Sequence, residues 1–427
     1  MTGGVRAMEG SSATSPLPRL GPPARIATVG RVRATAILIA LRFGYAYNWF
    51  DIGPALPRIG STFGVGPGAW GMLVAVFLLG AGAAQVPAGL LARRHGERPV
   101  TFAGVGLLAV AALASAFAPS FAFLLAMRLA AGVGAGLFFS PAIGWVGRMF
   151  GPGERGLPVG GFSSAFSAGA AAGVVGSALL VPAFGWSVSL VVGAVGLGAV
   201  TLIAVALIPR ETAGALPSSP GPSAPLGKAW RGRSVLAIGL AFVGFEGATF
   251  ATGQFMVPFG EAVRLWPAWL AGAVGSSFVL PSVIGGPVGG VVSERSMRHR
   301  TQLIGVTIVG AAAVAVLPFA GVAAALAIGS VFSFAYGFAY AVMYVVPHFW
   351  TDLPSRDIPL AIGLFNAIQL GGGALVSAAF GALVQARSYA VGWEFLAGVQ
   401  LATLLAIVAL QPTVPGRRPA AAAAAPP

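Results

Sequence analysis

Long apolar runs, separated by short polar stretches that contain glycine and proline, dominate the chain. A helix needs about 20 mostly apolar residues to cross a bilayer. Runs such as 100–118 do not alternate between apolar and polar positions, as the strands of a transmembrane barrel do. The pattern predicts an all-α integral membrane protein with twelve transmembrane helices at 34–57, 69–92, 99–118, 121–149, 157–183, 187–208, 234–259, 266–292, 302–319, 321–350, 358–385 and 391–411.

Three polar segments flank or divide these twelve runs. Residues 1–33 are rich in Pro, Gly, Ser and Arg and lack the apolar core of a signal peptide, so we predict a disordered basic tail. Residues 412–427 form a second predicted disordered tail, rich in Ala and Pro. The Pro-rich stretch 209–233 is predicted to link two six-helix bundles, 34–208 and 234–411.

Composition agrees with a lipid environment. Of the 427 residues, 57% are apolar and only 8% are charged, whereas soluble proteins carry about 25% charged residues. Mean hydropathy is +0.87. A soluble fold is therefore excluded, and the absence of cysteine excludes disulfides and thiolate metal sites.

The net charge of +14 would suggest a nucleic-acid partner in a soluble protein, but its distribution indicates topology instead. Most basic residues lie in the tails and in the loops on their side of the membrane: 6, 19, 25, 31, 33, 93, 94, 98, 148, 155, 210, 228, 231, 233, 295, 298, 300, 356, 417 and 418. By the positive-inside rule, both termini and the linker are predicted to be cytoplasmic. No nucleic-acid partner is expected.

An internal repeat divides the chain into two related halves. At an offset of 201 residues, 89–94 at the end of run 2 matches 290–295 at the end of run 8, and 154–158 before run 5 matches 355–359 before run 11. Pro57 likewise matches Pro258. The repeat predicts that six helices are duplicated as six.

With these motifs, the chain resembles the major facilitator superfamily of secondary transporters over its whole membrane portion. The loop 2–3 signature of that family is present as Gly89, Leu91, Arg93, Arg94, Gly96 and Arg98, and the span-4 signature as Arg128, Gly132, Gly134 and Gly136. The resemblance implies a 6+6 fold whose two bundles rock around a site at the membrane midplane. Gly132 and Gly136 lie one helical turn apart, which favours close approach of a second helix.

One position departs from the pattern of the family. The family usually has an acid where this chain has Arg93, while the second half keeps Glu294, followed by Arg295. In the family that acid belongs to a cytoplasmic latch that holds one access state. We therefore expect the first-half latch to be altered, or rebuilt with Glu97 or Glu154.

Four ionisable residues lie inside the predicted spans, where such groups are costly and usually functional. They are Arg42, Asp51, Arg128 and Glu246. Subtracting the repeat offset from Glu246 gives Tyr45, so these two are expected to face one another across a central cavity. Asp51 is interpreted as a water-exposed entrance residue, a helix-end gate or part of the site, and Arg128 as either structural or coupling. A buried Arg42–Glu246 pair without substrate contact is the alternative to a binding role.

Polar neighbours on several spans support a cavity. Trp49 shares a helix face with Arg42 and Tyr45, and Gln254 lies toward the outer part of span 7. Spans 10 and 11 carry Tyr336 and Tyr340, and Asn366 and Gln369. In the related family, spans 1, 7, 10 and 11 line the pathway.

We therefore predict a monomeric, multi-pass transporter of the bacterial inner membrane that works by alternating access. Enzyme chemistry is not expected, because the chain has no catalytic dyad, metal-ligand pair or nucleotide-binding motif, and no cofactor is predicted. The expected activity is proton-coupled symport of a small organic anion or a zwitterion with a carboxylate. The alternatives are proton-coupled efflux of apolar or cationic compounds, and a receptor or scaffold that transports nothing.

Overall fold

The computed structural model describes residues 28–150, 154, 156–208, 233–296, 298–349 and 358–410. The predicted tails and linker lie outside these ranges, except that residues 28–33 belong to the first helix and residue 233 to the eighth. The described residues form fourteen α-helices: α1 Thr28–Phe50, α2 Leu56–Phe63, α3 Pro67–His95, α4 Glu97–Ala116, α5 Phe121–Arg148, α6 Gly156–Phe184, α7 Trp186–Leu207, α8 Arg233–Arg264, α9 Ala268–Ser277, α10 Ser282–Ser296, α11 His299–Val316, α12 Val322–Val345, α13 Ile358–Ala386 and α14 Tyr389–Val408. Two short 3₁₀ helices, Leu317–Phe319 and Val346–Phe349, follow α11 and α12.

The prediction of twelve membrane spans in an all-helical fold is confirmed. Eleven segments of the described chain are long and apolar enough to cross a membrane, one of them made of α9 and α10 together. The twelfth span is α1, a helix of 23 residues, which is more polar because it carries Arg42, Tyr45 and Asn48. Helices α1 to α7 form the N-half, and helices α8 to α14 form the C-half.

Two predicted spans are interrupted in the structure. Span 1 ends at Phe50, and turns at 51–55 separate it from α2; span 8 is broken at 278–281, between α9 and α10. Proline lacks the N–H that continues a helix, and Pro54 and Pro281 lie in these two breaks. At the second break, the N–H of Ser282 donates to the Ser333 hydroxyl of α12 at 2.9 Å.

Tight connections at the helix ends depend on local sequence. Gly96 and Gly185, which separate α3 from α4 and α6 from α7, have φ of 86° and 85°, a region that glycine adopts without steric cost. Ser120 caps α5, where its hydroxyl accepts from the N–H of Phe123 at 3.2 Å, as expected for an N-cap serine. Short links of this kind keep consecutive helices antiparallel.

The two halves contact each other mainly through two helix pairs. Helix α3 packs against α13, and α6 packs against α9. We call the face where α1 begins and α14 ends the tail face, and the opposite one the far face. Near the far face, the N–H of Gly68 donates to Gln385 Oε1 at 2.8 Å, and at mid-depth the hydroxyls of Ser167 and Ser282 are 2.6 Å apart.

Repeat-equivalent residues meet on the axis between the halves. The Trp49 ring lies 5.3 Å from that of Phe250, its equivalent at the offset of 201. Gly53 also lies against its own equivalent, Gln254: a Cβ added to Gly53 would lie 2.8 Å from that residue. In a pseudo-two-fold arrangement, only residues on the axis can touch their equivalents. These contacts therefore place one side of α1 and α8 on that axis.

Candidate functional site

Arg42 lies in a cage of aromatic rings inside the N-half. Its side chain is 6% exposed, and the guanidinium carbon is 4.5 Å from the ring centroids of Tyr45 and Phe139, 4.7 Å from that of Phe166 and 5.4 Å from that of Phe162. Ring faces attract a cation, but they do not satisfy its N–H groups. Nε and Nη1 of Arg42 are buried without a hydrogen-bond partner.

Two unmet donors on a buried cation are costly, so this position is suited to an anion. Among the described residues, no carboxylate lies within 4 Å of Arg42. The side-chain ion pairs that the described residues form, Arg31–Glu154 and Arg148–Glu97, lie at the tail face instead. A direct Arg42–Glu246 pair, the alternative considered from the sequence, is therefore not formed in this state.

Glu246 lies in the C-half, on α8. The residue is 4% exposed, and its Oε2 accepts a hydrogen bond from the Tyr336 hydroxyl at 3.2 Å. On its other side, Gly373 of α13 leaves room for the side chain, because a Cβ there would lie 3.1 Å from the Glu246 Cγ. The carboxylate is thus enclosed by α12 and α13.

A hydrogen-bonded chain of polar side chains continues from α12 to α13. The hydroxyls of Tyr340 and Tyr344 are 2.9 Å apart. Tyr344 donates to Asn366 Oδ1 at 2.7 Å, and Gln369 Nε2 donates to the same oxygen at 2.9 Å. The predicted residues Tyr340, Asn366 and Gln369 are therefore brought together in one network.

Polar side chains of the two halves interact electrostatically across the interface between the bundles. The Tyr340 hydroxyl experiences the charges of both Arg42 and Glu246, and the Tyr45 hydroxyl experiences those of Arg42, Tyr340 and Glu246. Tyr45 and Glu246 lie one helical turn from the axis contact between Trp49 and Phe250. The structure thus gathers Arg42, Tyr45, Glu246 and Tyr340 around one point between the bundles.

Asp51 and Arg128 lie apart from that point, within the N-half. Arg128 is 2% exposed, stacks 4.4 Å from the Phe77 ring centroid and donates from Nη1 to the Asn48 carbonyl at 3.2 Å. Asp51 is 1% exposed, and a Cβ on Gly193 of α7 would lie 2.8 Å from its Oδ2. Asp51 is therefore buried in this state and is not a water-exposed entrance.

Gln254 contributes to closure near the far face. Its Nε2 donates to the Trp49 carbonyl of α1 at 2.6 Å. One turn away, the rings of Phe50 and Phe250 stack at 5.1 Å with an interplanar angle of 16°. The first helices of the two halves are thus bonded and stacked together between the central point and the far face.

The loop motif lies at the tail face. Arg93 and Arg94 are exposed after Gly89 near the end of α3, while Arg98 donates to the carbonyls of Val205 and Ile208 at 3.2 and 3.1 Å. Glu97 pairs with Arg148, and Glu154 pairs with Arg31 at 3.8 Å. Each of these pairs joins two elements of the N-half. In the C-half, the matching Glu294 and Arg295 are exposed at the end of α10.

Two glycines of the span-4 motif, Gly132 and Gly136, lie against the backbone of α3. A Cβ on Gly132 would collide with the Phe77 carbonyl, and one on Gly136 with the Ala81 carbonyl. The two helices therefore approach more closely than any larger residue would allow.

Sequence reasoning missed the rings that surround Arg42. Phe139, Phe162 and Phe166 are ordinary apolar residues in apolar spans, so their composition carries no signal. The spacing of four residues between Phe162 and Phe166 indicates a shared helix face, but only the packing of α5 and α6 on α1 shows that this face meets a cation. Sequence reasoning also missed Tyr344, which lies one helical turn from Tyr340 on α12 and bonds to it.

Comparison with known proteins identifies the family. The Major Facilitator Superfamily profile matches residues 38–352, and the chain belongs to this superfamily. Proteins of this superfamily are membrane transporters, not enzymes. The structure is similar to that of a bacterial homologue of the human lysosomal transporter Spinster in an inward-facing and occupied conformation, with a TM-score of 0.69 and 17% identity over 90% of this chain and 97% of that one. A POT family transporter in complex with a thioalcohol-conjugated peptide gives a TM-score of 0.72 and 11% identity over 88% and 95% of the two chains.

Curated relatives match only part of the chain. Multidrug transporter AQR1 of Candida glabrata is 31% identical over 167 residues, which are 38% of this chain and 28% of the relative. The probable L-galactonate transporter of Escherichia coli is 28% identical over 179 residues, which are 41% of this chain and 39% of the relative. The chain thus spans well under half the length of these relatives, and they differ from each other in substrate.

Proposed function

We propose that the protein is a proton-coupled symporter of a small organic anion or a zwitterion with a carboxylate. The observation that carries the proposal is the buried Arg42 guanidinium, whose Nε and Nη1 lack partners, opposite the single carboxylate of Glu246. A carboxylate substrate would satisfy the donors of Arg42, and Glu246 can bind one proton and release it in each transport cycle.

The proposed cycle is alternating access between the two bundles. Hydrogen bonds between the halves, within the described residues, run from mid-depth to the far face: Ser167–Ser282, Gln254–Trp49 and Gly68–Gln385. This pattern supports a state that is closed toward the far face. We propose that the membrane is the bacterial inner membrane, with both termini and the tail face in the cytoplasm and the protein acting as a monomer.

Glu246→Gln in proteoliposomes tests the coupling. We expect the variant to lose accumulation of labelled carboxylates and amino acids driven by a pH gradient, while exchange of labelled for unlabelled substrate continues, because glutamine keeps the shape but binds no proton. The matched control is Glu394→Gln, which changes an exposed glutamate of α14. Proton-driven accumulation at the wild-type rate in Glu246→Gln would contradict the proposal.

A second candidate function is proton-coupled efflux of apolar or cationic compounds. It is favoured by the rings near the site, where Phe242 lies 5.6 and 5.7 Å from Tyr336 and Tyr340, and by the similarity to a multidrug transporter. In this case Glu246 would be the counter-charge of a cation. The two candidate functions differ in their dependence on Arg42: binding of an anion requires its positive charge, whereas binding of a cation does not.

A further inference from the structure

The hydrogen bonds of the C-half fix which groups of the site can donate. Asn366 Oδ1 accepts from both Tyr344 and Gln369. A tyrosine hydroxyl has one proton, and that of Tyr344 is used in this bond. In the contact between Tyr340 and Tyr344, Tyr340 must therefore be the donor. The hydroxyl proton of Tyr340 is therefore used in the bond to Tyr344, and the Tyr340 oxygen can only accept a hydrogen bond from a ligand.

The same reasoning applies to the second tyrosine beside the carboxylate. The proton of Tyr336 is committed to Glu246 Oε2, and this oxygen accepts the bond whether Glu246 is ionised or carries the coupled proton on its other oxygen. Tyr336 and Tyr340 therefore present acceptor oxygens to a ligand. A ligand that contacts these two oxygens must bring hydrogen-bond donors.

The N-half has the opposite polarity. Its unpartnered groups at the site are Nε and Nη1 of Arg42 and the indole Nε1 of Trp49, all buried. None of these atoms can accept a hydrogen bond. Arg42 and Trp49 share one face of α1, and the Trp49 ring reaches Phe250 of the C-half. This wall therefore requires an acceptor, preferably an anionic one.

We infer that the substrate is a zwitterion, bound with its carboxylate at Arg42 and its protonated amine at the Tyr340 oxygen, while Glu246 carries the coupled proton. The inference rests on the proposed function and narrows it. A carboxylate without an amine would leave the acceptors of the C-half facing a negative charge, and an amine without a carboxylate would leave the donors of Arg42 unmet. The rings of Tyr45, Trp49 and Phe166 would contact the apolar part of the molecule.

This binding mode also relates the substrate to the movement of the bundles. A zwitterion held at both ends spans the interface between the halves, whereas a monoanion or a monocation is held by one half. Only a ligand that contacts both bundles favours the state in which they are close together. We therefore expect zwitterions to stabilise the closed form of the transporter more than ligands with a single charge.

Thermal stabilisation of the purified full-length protein in detergent tests the inference. The probes are the twenty common amino acids and a set of dipeptides, at fixed pH and without a membrane gradient. For each one that stabilises the protein, the same skeleton without the amine and the same skeleton without the carboxylate are measured, for example 3-phenylpropanoate and 2-phenylethylamine beside phenylalanine. We expect the zwitterion to bind at least about 10-fold more tightly than either matched compound, since each lost charge-assisted hydrogen bond costs about this factor.

A variant separates the role of the acceptor from general stability. Tyr340→Phe removes the oxygen but keeps the ring, so zwitterion binding should weaken about 10-fold while binding of the matched anion changes little. Tyr389→Phe, which makes the same change on α14 away from the site, is the control. If Tyr340→Phe does not fold, the comparison of matched compounds on the wild-type protein still decides the question.

The outcomes distinguish this inference from the proposed function. An anion that binds as tightly as its matched zwitterion overturns the inference and leaves anion symport intact. Preference for the amine without a carboxylate overturns both. Absence of stabilisation by every zwitterion also overturns the inference, whereas loss of proton coupling in liposomes, with zwitterion preference retained, overturns only the coupling by Glu246.

Discussion

The two halves share one scaffold but differ in the chemistry at their centre. Tyr45 of α1 and Glu246 of α8 are equivalent at the offset of 201, and the next turns of the same two helices touch on the axis through Trp49 and Phe250. The N-half contributes a cation and ring faces to the site, and the C-half contributes a carboxylate and tyrosine oxygens. Duplication therefore supplied the symmetry of the fold, and divergence of a few residues supplied a polar site that needs both halves.

The halves also differ in where their helices break, and the repeat shows why. In the N-half, Gly132 lies against the carbonyl of Phe77, and α3 is continuous. The equivalent residue in the C-half is Ser333, whose hydroxyl accepts the N–H of Ser282, just after Pro281. A side chain at this point compensates for the N–H bond that the broken helix lacks. The two helices thus pack through their backbones in both halves, at Gly136 on Ala81 and at Gly337 on Ser282, and the C-half adds a hydrogen bond.

The largest expected effect removes the cation of the N-half. Arg42→Ala should reduce proteoliposome uptake of carboxylates and amino acids by at least about 100-fold, because the loss of one partner of a buried charge pair costs several kcal/mol. Efflux of a lipophilic cation, if that is the activity, should persist in the same variant. Arg58→Ala, on the exposed surface of α2, is the control, and unchanged carboxylate uptake in Arg42→Ala would exclude the anion role.

A smaller effect is expected where the helices of the N-half are closest. Gly132→Ala adds a methyl group that collides with the Phe77 carbonyl, and overpacking of this kind costs about 1–3 kcal/mol. The melting temperature of the purified protein should fall. Gly106→Ala is the matched control, because a Cβ at that position meets no atom within 4 Å. Equal melting temperatures for the two variants would show that α3 and α5 can separate without cost.

Closure toward the far face should respond to the Gln254–Trp49 hydrogen bond. Gln254→Leu removes the bond and should shift the population toward the state open to the far face by several-fold, as expected for a loss of about 1 kcal/mol. Because the chain has no cysteine, the rate at which an impermeant maleimide labels Val181→Cys reports this opening directly. Gln302→Leu, at the tail face, serves as the control. An unchanged labelling rate in Gln254→Leu would assign closure to the aromatic stack alone.

The smallest effect is expected at the surface of the tail face. Arg93→Asp restores the acid that the family usually has in this loop, and should alter the balance of access states by about twofold, because exposed charges contribute about 0–1 kcal/mol. The same maleimide assay on Val181→Cys measures the change. Arg33→Asp, an equal change of charge on the exposed side of α1, tests whether any shift is specific to the loop. Equal shifts in both variants would argue against a latch.

Most of the fold follows from the sequence alone. Apolar runs of spanning length and the 201-residue repeat predicted twelve helices in two bundles, because the bilayer requires every spanning segment to satisfy its own backbone groups. The repeat also predicted that Tyr45 and Glu246 face each other; this stays a prediction, while Trp49 and Phe250, one turn further along the same helices, are in contact. Helix breaks at 51–55 and 278–281 were not predicted, because a proline within an apolar run is compatible with either a kink or a break.

Tertiary structure alone decided which buried polar groups share a site. From the sequence, Arg42 and Arg128 are alike, each a lone arginine within an apolar span. Packing separates them: Arg128 is bonded to the α1 backbone beside Phe77 and leaves Nε without a partner, whereas Arg42 lies among aromatic rings with both Nε and Nη1 unpartnered. The direction of each tyrosine hydroxyl was likewise decided by the network from α12 to α13. Sequence determines which groups lie at membrane depth, but their pairing depends on contacts between residues far apart in the chain, and these form only when the helices pack.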